Sequence, residues 1–522
     1  MSAILAFDPG ALPPGWPLLL AGLLALGLRH PLGHRNIGWA GLLASLTLFA
    51  FHGPALAPLD GGLILAFHLV AAAGLLFAAG QPDRIAVGAG LVATGAATAA
   101  IASISLAGLM IWTEVIAIAS AVIVMAGGTE TAVRAGLSYL LLQVLAGVLL
   151  LIGIALGPEG GTLGAAGIAI LIALGIKAAL PPAHGWLINA YPAASPTGTI
   201  FLSAFATKVA VIALARLYAG TELLIWLGLA MAVIGVLPTL AERNWRRLLA
   251  WALVSQLGVM VIGIGLGTAE ALAGTRLLAI GHVIYATLLF LVAGCLEARG
   301  GFAVRGLRLA ALAATLSIGL PGLAGYGGKA VIGEALIHAG MGWADLVIVG
   351  VGAVVFVTAG LRPLLERCAA PVGSPALPVR EALAVALLTL AGAALGSLAP
   401  LVEPHAAAAF HLTPLLVQGA ALGLASALIL LLGRRLPTRD GALGLLAVPA
   451  PGLVIGALDL FRPLGALLAG LGERIAALLA GLGRLGGRGL YGLSQGFNIG
   501  SLGDSVLWAL TVLTIVLIVS FG

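Results

Sequence analysis

Lysine is nearly absent from this sequence. Among 25 lysines and arginines in 522 residues only Lys177, Lys208 and Lys329 are lysines. Cysteine is scarcer still. Cys295 and Cys368 stand far apart, which excludes a cysteine-ligated iron–sulfur cluster, and no C-x-x-C-H stretch exists to attach haem. The sequence has no Walker loop and no G-x-G-x-x-G opening a helix after a strand. No histidine pair at i, i+3 or i+4 is joined by a carboxylate, so no metal site and no cofactor are expected. Charged residues make up only 8% of the chain, and the net charge of +6 does not suggest nucleic acid. The loops are poor in acids and histidines, which argues against a membrane-embedded enzyme such as a lipid transferase. No catalytic chemistry of its own is expected.

What fills the chain is apolar sequence, 61% of it, with a mean hydropathy of +1.17. Runs of about 20 apolar residues recur along nearly the whole length, the spacing of membrane-spanning helices. The first, Leu12–Leu28, follows the acidic Asp8 with no basic stretch before it, and reads as a retained span rather than a cleaved signal. The spans fall near 14–28, 37–53, 61–79, 85–103, 107–126, 131–156, 164–192, 200–218, 222–240, 247–266, 271–295, 308–338, 344–364, 380–400, 413–433 and 506–521. This predicts an all-α polytopic membrane protein of about 14–16 helices, because only helices or closed barrels satisfy their backbone in lipid. With the N-terminus outside the cytoplasm, loop arginines from Arg29 to Arg439 gather on the cytoplasmic side. Only Arg216 and Arg276 fall near the other face.

Two spans are too long and are interrupted. One holds Pro181-Pro182, His184 and Gly185. The other holds "GLPGLAGYGGK", residues 319–329. Proline removes a backbone donor and clashes with the preceding turn. Broken helices are typical of transporters, where freed carbonyls line a wet cavity. The two breaks lie five spans apart and run in opposite directions, the pattern of two inverted five-helix repeats. The expected organisation is therefore N-terminal helices over 1–84, a first repeat over 85–218, a second over 222–364, C-terminal helices over 380–433, a surface segment over 443–505 and a last helix over 506–521. In the surface segment Leu464, Leu467, Leu468, Leu471 and Ile475 keep helical spacing among Arg462, Glu473, Arg474 and Arg484. That pattern predicts an amphipathic helix on the membrane surface, braced against a neighbouring subunit or the chain's own flank.

All three lysines fall inside predicted spans, whereas every loop cation is an arginine. An Ala/Gly/Leu/Arg-rich sequence keeps lysine where arginine does not serve. The chemical difference is titration: arginine stays charged, and a lysine taken out of water can release its proton. Lys208 lies about 12 Å into its span, near the middle of a hydrocarbon core of about 30 Å. Lys177 just precedes one break and Lys329 just follows the other. Glu114, in "IWTEVIAIAS", is the clearest deep carboxylate. Ions at such depth mark functional sites by default. The alternative for Glu114 and Lys177 is a purely structural ion pair. His68 and His338 read as interior histidines. Glu334, one turn beyond Lys329, reads as either a modulator or a residue near the membrane interface.

The stretch "KAALPPAHGWLINAYPAASPTGTIFLSAFATKVAVIALARLY" resembles the antiporter-like membrane subunits of respiratory complex I, Mrp-type cation/proton antiporters and membrane-bound hydrogenases. The likeness extends to "IWTEVIAIAS", "RRLLAWALVSQLGVMVIGIGLG", "GHVIYATLLFLVAG" and "GLPGLAGYGGKAVIGEAL". It covers residues 85–365 well, and within the family the chain is most similar to the D-type subunit of Mrp antiporters. The resemblance implies a proton pathway in the plane of the membrane through Glu114, its paired Lys177, Lys208, His282 and Lys329. His184, Tyr285 and Glu334 are placed beside it. It also implies that other membrane subunits, lipids, protons and Na+ or K+ are the partners, in a bacterial inner membrane, and that any redox chemistry belongs to those other subunits. One position departs from the family pattern. Where the eleventh span often reads His-x-x-x-Lys, this chain has Ala286, with Tyr285 and Thr287 beside it. The route from Lys208 to Lys329 then relies on His282, Tyr285 or water. The competing readings are the equivalent subunit of a membrane-bound hydrogenase or formate hydrogenlyase complex, and a non-conducting scaffold.

Overall fold

In lipid an apolar run has only its own carbonyls to bond, so it coils. In the computed structural model these runs form α1 (Trp16–Gly27), α2 (Pro31–His52), α3 (Pro58–Ala78), α4 (Arg84–Ala102), α5 (Leu106–Met125), α6 (Glu130–Leu156), α7 (Ala165–Lys177), α8 (Gly185–Ala193), α9 (Pro196–Leu202), α10 (Ala206–Leu217), α11 (Leu223–Val236), α12 (Trp245–Leu266), α13 (Ala269–Arg299), α14 (Leu307–Ser317), α15 (Gly327–His338), α16 (Gly342–Val355), α17 (Arg362–Leu365), α18 (Val379–Val402) and α19 (Leu412–Arg435). The structure describes residues 13–435 except 28–30, 53–55, 80–82, 158–163, 241, 300–305, 366–376, 406 and 408–411. The surface segment expected at 443–505 and the span at 506–521 lie outside the described residues. No strand occurs among the described residues. Among the described residues ten stretches are long and apolar enough to cross a membrane, and α1, α7 and α14 are shorter apolar helices.

Several starts are set by a polar side chain that accepts a first-turn N–H. Asp83 does this for Ala86, Ser105 for Gly108, Thr129 for Ala132 and Asn244 for Arg247, all at 3.0 Å. Each such cap contributes about 1 kcal/mol. The best apolar window of α13 is 100% buried, against 33% for α6. Helix α13 is therefore the inner post of the bundle, in contact with α3, α9, α12, α14, α15 and α18. Every polar residue in its buried stretch must face protein. Helices α11 and α12 cross closely because Gly258 and Gly228 lack side chains: a Cβ on Gly258 would lie 2.6 Å from the Gly228 carbonyl oxygen. Small residues at helix crossings serve this purpose in membranes.

The two interrupted spans are broken in the structure. Residues 178–184 separate α7 from α8, and 318–326 separate α14 from α15. Two further interruptions were not expected. The span at 200–218 divides into α9 and α10 around Ser203–Phe205, and the span at 344–364 passes through a π-helical turn, Phe356–Leu361. Neither site carries the Pro-Pro or Gly-Pro signal that marks a break. At the first, Ser203 Oγ bonds back to the Ile200 carbonyl at 2.9 Å and reaches Thr287 Oγ1 at 3.1 Å, a local competitor to regular helix.

Polar contacts tie the ends. Ser195 caps α9 and also donates to Asp83, the cap of α4. Arg246 donates to the Ala194 carbonyl at 2.5 Å and to Glu297 at 2.8 Å. The turn "AYPAASPTG" is thus held from both sides. Arg216 and Arg276, the two arginines outside the main loop pattern, share Asp60 at 3.0 and 3.6 Å.

Candidate functional site

Breaking a helix frees carbonyls at the end of one half and N–H groups at the start of the next. Three buried donors answer the freed carbonyls here. Trp186 Nε1 donates to the Ile176 carbonyl at 2.9 Å, Lys208 Nζ to Ser203 at 2.7 Å and Lys329 Nζ to Ile318 at 3.0 Å. Within the first break Ala179 takes a φ of +61°, a left-handed conformation that costs a non-glycine residue about 1–2 kcal/mol. That cost is met where Lys177 must be presented.

Lys177 is the last residue of α7, where the partial negative charge of the helix end favours a cation. Its Nζ lies 2.7 Å from Glu114 Oε1, with side chains 3% and 13% exposed. Water hardly screens this pair, and removing one partner of such a pair typically costs about 3–5 kcal/mol. Lys208 and Lys329 are placed differently. Each is the third residue of its helix, α10 or α15, where the partial charge of the helix end is positive. Among the described residues neither ammonium group has a carboxylate within 4.0 Å. A main-chain carbonyl takes that place in both cases.

The remaining expected residues divide into groups. His184 is the last residue of the break, immediately before α8; it is buried and packs on Trp251 with ring centroids 5.5 Å apart. His282 and Tyr285 meet edge to face on α13 at 4.9 Å, and Lys329 Nζ lies 6.0 Å from the Tyr285 ring centre. Glu334 lines a cavity with Lys329, Tyr326, Asp345 and Gln418. Among the described residues no direct hydrogen bond joins Lys177 to Lys208, Lys208 to His282, or Lys329 to Glu334. Ala286 is buried, and the contact from α13 to the break beside Lys208 is made by its neighbour Thr287, through Ser203. His68 stands apart, with Nε2 2.7 Å from Ser45 Oγ and Nδ1 2.8 Å from the Ile64 carbonyl. His338 pairs with Glu270 at 3.1 Å and is mostly exposed.

Sequence reasoning missed Ser203, Gln143 and Gln256. Tyr285 OH lies 3.4 Å from Gln256 Oε1 on α12, and Gln143 is a buried residue of α6. A lone glutamine inside "LLLQVL" or "LVSQLG" was a usable signal, since polar groups in a span need a reason to be there. Among the described residues no group of three histidine, cysteine, aspartate or glutamate side chains could hold a metal ion. The chemistry present in the bundle is a set of buried or half-buried amine, imidazole, phenol and carboxyl groups.

Residues 103–357 match the family described as "NADH:quinone oxidoreductase/Mrp antiporter, TM". The chain is 30% identical over 282 residues to the N subunit of the NADH-quinone oxidoreductase of Desulforudis audaxviator, covering 48% of this chain and 52% of that protein. It is 29% identical over 218 residues to the D subunit of the Na(+)/H(+) antiporter of Alkalihalophilus pseudofirmus, covering 36% and 44%. It thus spans about half or less of these relatives' length. A chain in the structure of the Mrp complex from Dietzia sp. superposes with a TM-score of 0.66 at 23% identity, over 79% of this chain and 99% of that one.

Proposed function

Because this chain is a member of the antiporter-like membrane-subunit family matched over residues 103–357, we propose that it is a proton-translocating subunit of a multi-subunit membrane complex. Protons move through the middle of the bundle along Glu114, Lys177, Lys208, His282 and Lys329. The observation that carries the reading is the unequal treatment of three buried lysines. Lys177 is neutralised by Glu114, while Lys208 and Lys329 are met only by carbonyls at helix breaks. A purely structural bundle has no use for two ammonium groups buried without counter-charge, since each costs several kcal/mol to desolvate.

On this account the Glu114–Lys177 pair is the gate. Closed, it holds a proton on Lys177. Open, it releases that proton towards Lys208, and the charge passes by way of Ser203, Thr287 and His282 to Lys329. Glu334 and Asp345 line the cavity at the far end. Residues 85–218 and 222–364 act as the two half-units. The driving reaction, or a coupled flow of Na+ or K+, resides in other subunits, in a bacterial inner membrane with the N-terminus outside. The test is proton flux in inverted vesicles carrying the assembled complex. Glu114→Gln should abolish flux at unchanged complex content, and undiminished flux would overturn the reading.

A further inference from the structure

A gate needs a second position for its moving part. If Glu114 simply left Lys177, a buried carboxylate would stand alone, which is costly. The face of α6 that packs on α5 supplies an alternative. At Gly147 an added Cβ would lie 2.6 Å from both Cδ and Oε1 of Glu114. The carboxylate therefore rests on the α6 backbone, in space that only glycine leaves open. One turn earlier on the same buried face is Gln143, 1% exposed, and among the described residues its Nε2 has no hydrogen-bond partner. Residues four apart share a helix face and are separated by about 6 Å along it. A glutamate side chain spans much of that distance by rotating about its own bonds.

We propose that the Gln143 amide is the second seat of the Glu114 carboxylate. In the closed state Oε1 accepts from Lys177 Nζ. In the open state it accepts from Gln143 Nε2, one turn along the same face from the Gly147 backbone on which it rests when closed. Both are positioning residues: neither carries the proton, and both act through Glu114. The idea rests on the proton-pathway reading above. It also explains why a buried amide donor is kept without a partner, since an unpaired donor at this depth is otherwise only a cost.

The test uses the assembled complex in inverted vesicles. Gln143→Leu removes the donor at similar volume and should lower driven flux about tenfold, the lower end for a charge-assisted hydrogen bond. Gln143→Asn keeps an amide at shorter reach and should retain more flux than Gln143→Leu. Gly147→Ala places a methyl group where the carboxylate rests, so it should favour the open state and raise passive proton leak. Adding Gln143→Leu should bring that leak back towards wild type, a non-additivity expected only if the two residues act on one group. Wild-type flux in Gln143→Leu, equal losses in the Leu and Asn variants, or a leak indifferent to Gln143 would each overturn the proposal. Glu114→Gln in parallel separates the two ideas. If it abolishes flux while Gln143→Leu does nothing, the second seat alone fails. If it too does nothing, the proton pathway fails.

Discussion

The break that holds Lys177 and the break that holds Lys329 use the same parts in opposite order. Lys177 ends the helix before its break, and Lys329 begins the helix after its own. In the first, the Ile176 carbonyl accepts from the Trp186 indole and the Ala179 N–H, and the lysine pairs with Glu114. In the second the lysine itself satisfies the freed carbonyl, of Ile318, and takes no carboxylate. The difference teaches that a helix break by itself does not decide what a buried lysine does. The outcome depends on which donor reaches the loose carbonyl first. Lys208, at a third and unheralded break, follows the second pattern.

The comparison can be broken most severely at Lys208. Lys208→Met removes the ammonium group between the two halves and should cut proton flux by at least about 100-fold, the scale of a lost proton-transfer group. Flux above a tenth of wild type in an assembled complex would mean that the halves work separately. Next comes the link on α13. His282→Ala should slow flux by about tenfold and more than His68→Ala does, because His68 is occupied by Ser45 and Ile64 away from the lysines. Equal effects would favour a scaffold role for the second half. Trp186→Phe tests the division of labour directly. It removes one of the two donors to the Ile176 carbonyl and leaves the Ala179 N–H, so thermal stability of the complex should fall by the equivalent of about 0.5–1.5 kcal/mol. Lys177 is then drawn towards that carbonyl, and flux should drop a few-fold. Unchanged stability and unchanged flux would remove Trp186 from the account. The smallest effect on transport is expected at the membrane face. Asp60→Asn weakens the contacts to Arg216 and Arg276 and should lower stability while leaving flux per complex near wild type.

Much of the fold could be read from the sequence, because apolar runs of fixed length and proline punctuation carry their own physics. The breaks at Pro181-Pro182 and at "GLPG" announced themselves. The interruption at Ser203–Phe205 did not, because it is set by contacts from α13, a helix distant in sequence. The lysines and Glu114 stand out in the sequence since charge in an apolar run is conspicuous. Their partners were harder to see. The carbonyls of Ser203 and Ile318 are backbone atoms and have no sequence signature. The role of Gly147 depends on how closely α6 passes α5, which only packing determines. Ala286 looks in the sequence like a missing link, yet in space its neighbour Thr287 makes the contact between α13 and the Lys208 break.

The most direct test of the central claim is proton flux through an assembled Lys177→Arg complex in inverted vesicles, with complex content measured in parallel. Arginine keeps the positive charge and pairs well with a carboxylate, but it does not release its proton in a protein. If Lys177 must hand on a proton when Glu114 leaves it, the variant should insert and assemble normally and carry essentially no flux. Near-normal flux would contradict the account and return the Glu114–Lys177 pair to a structural role.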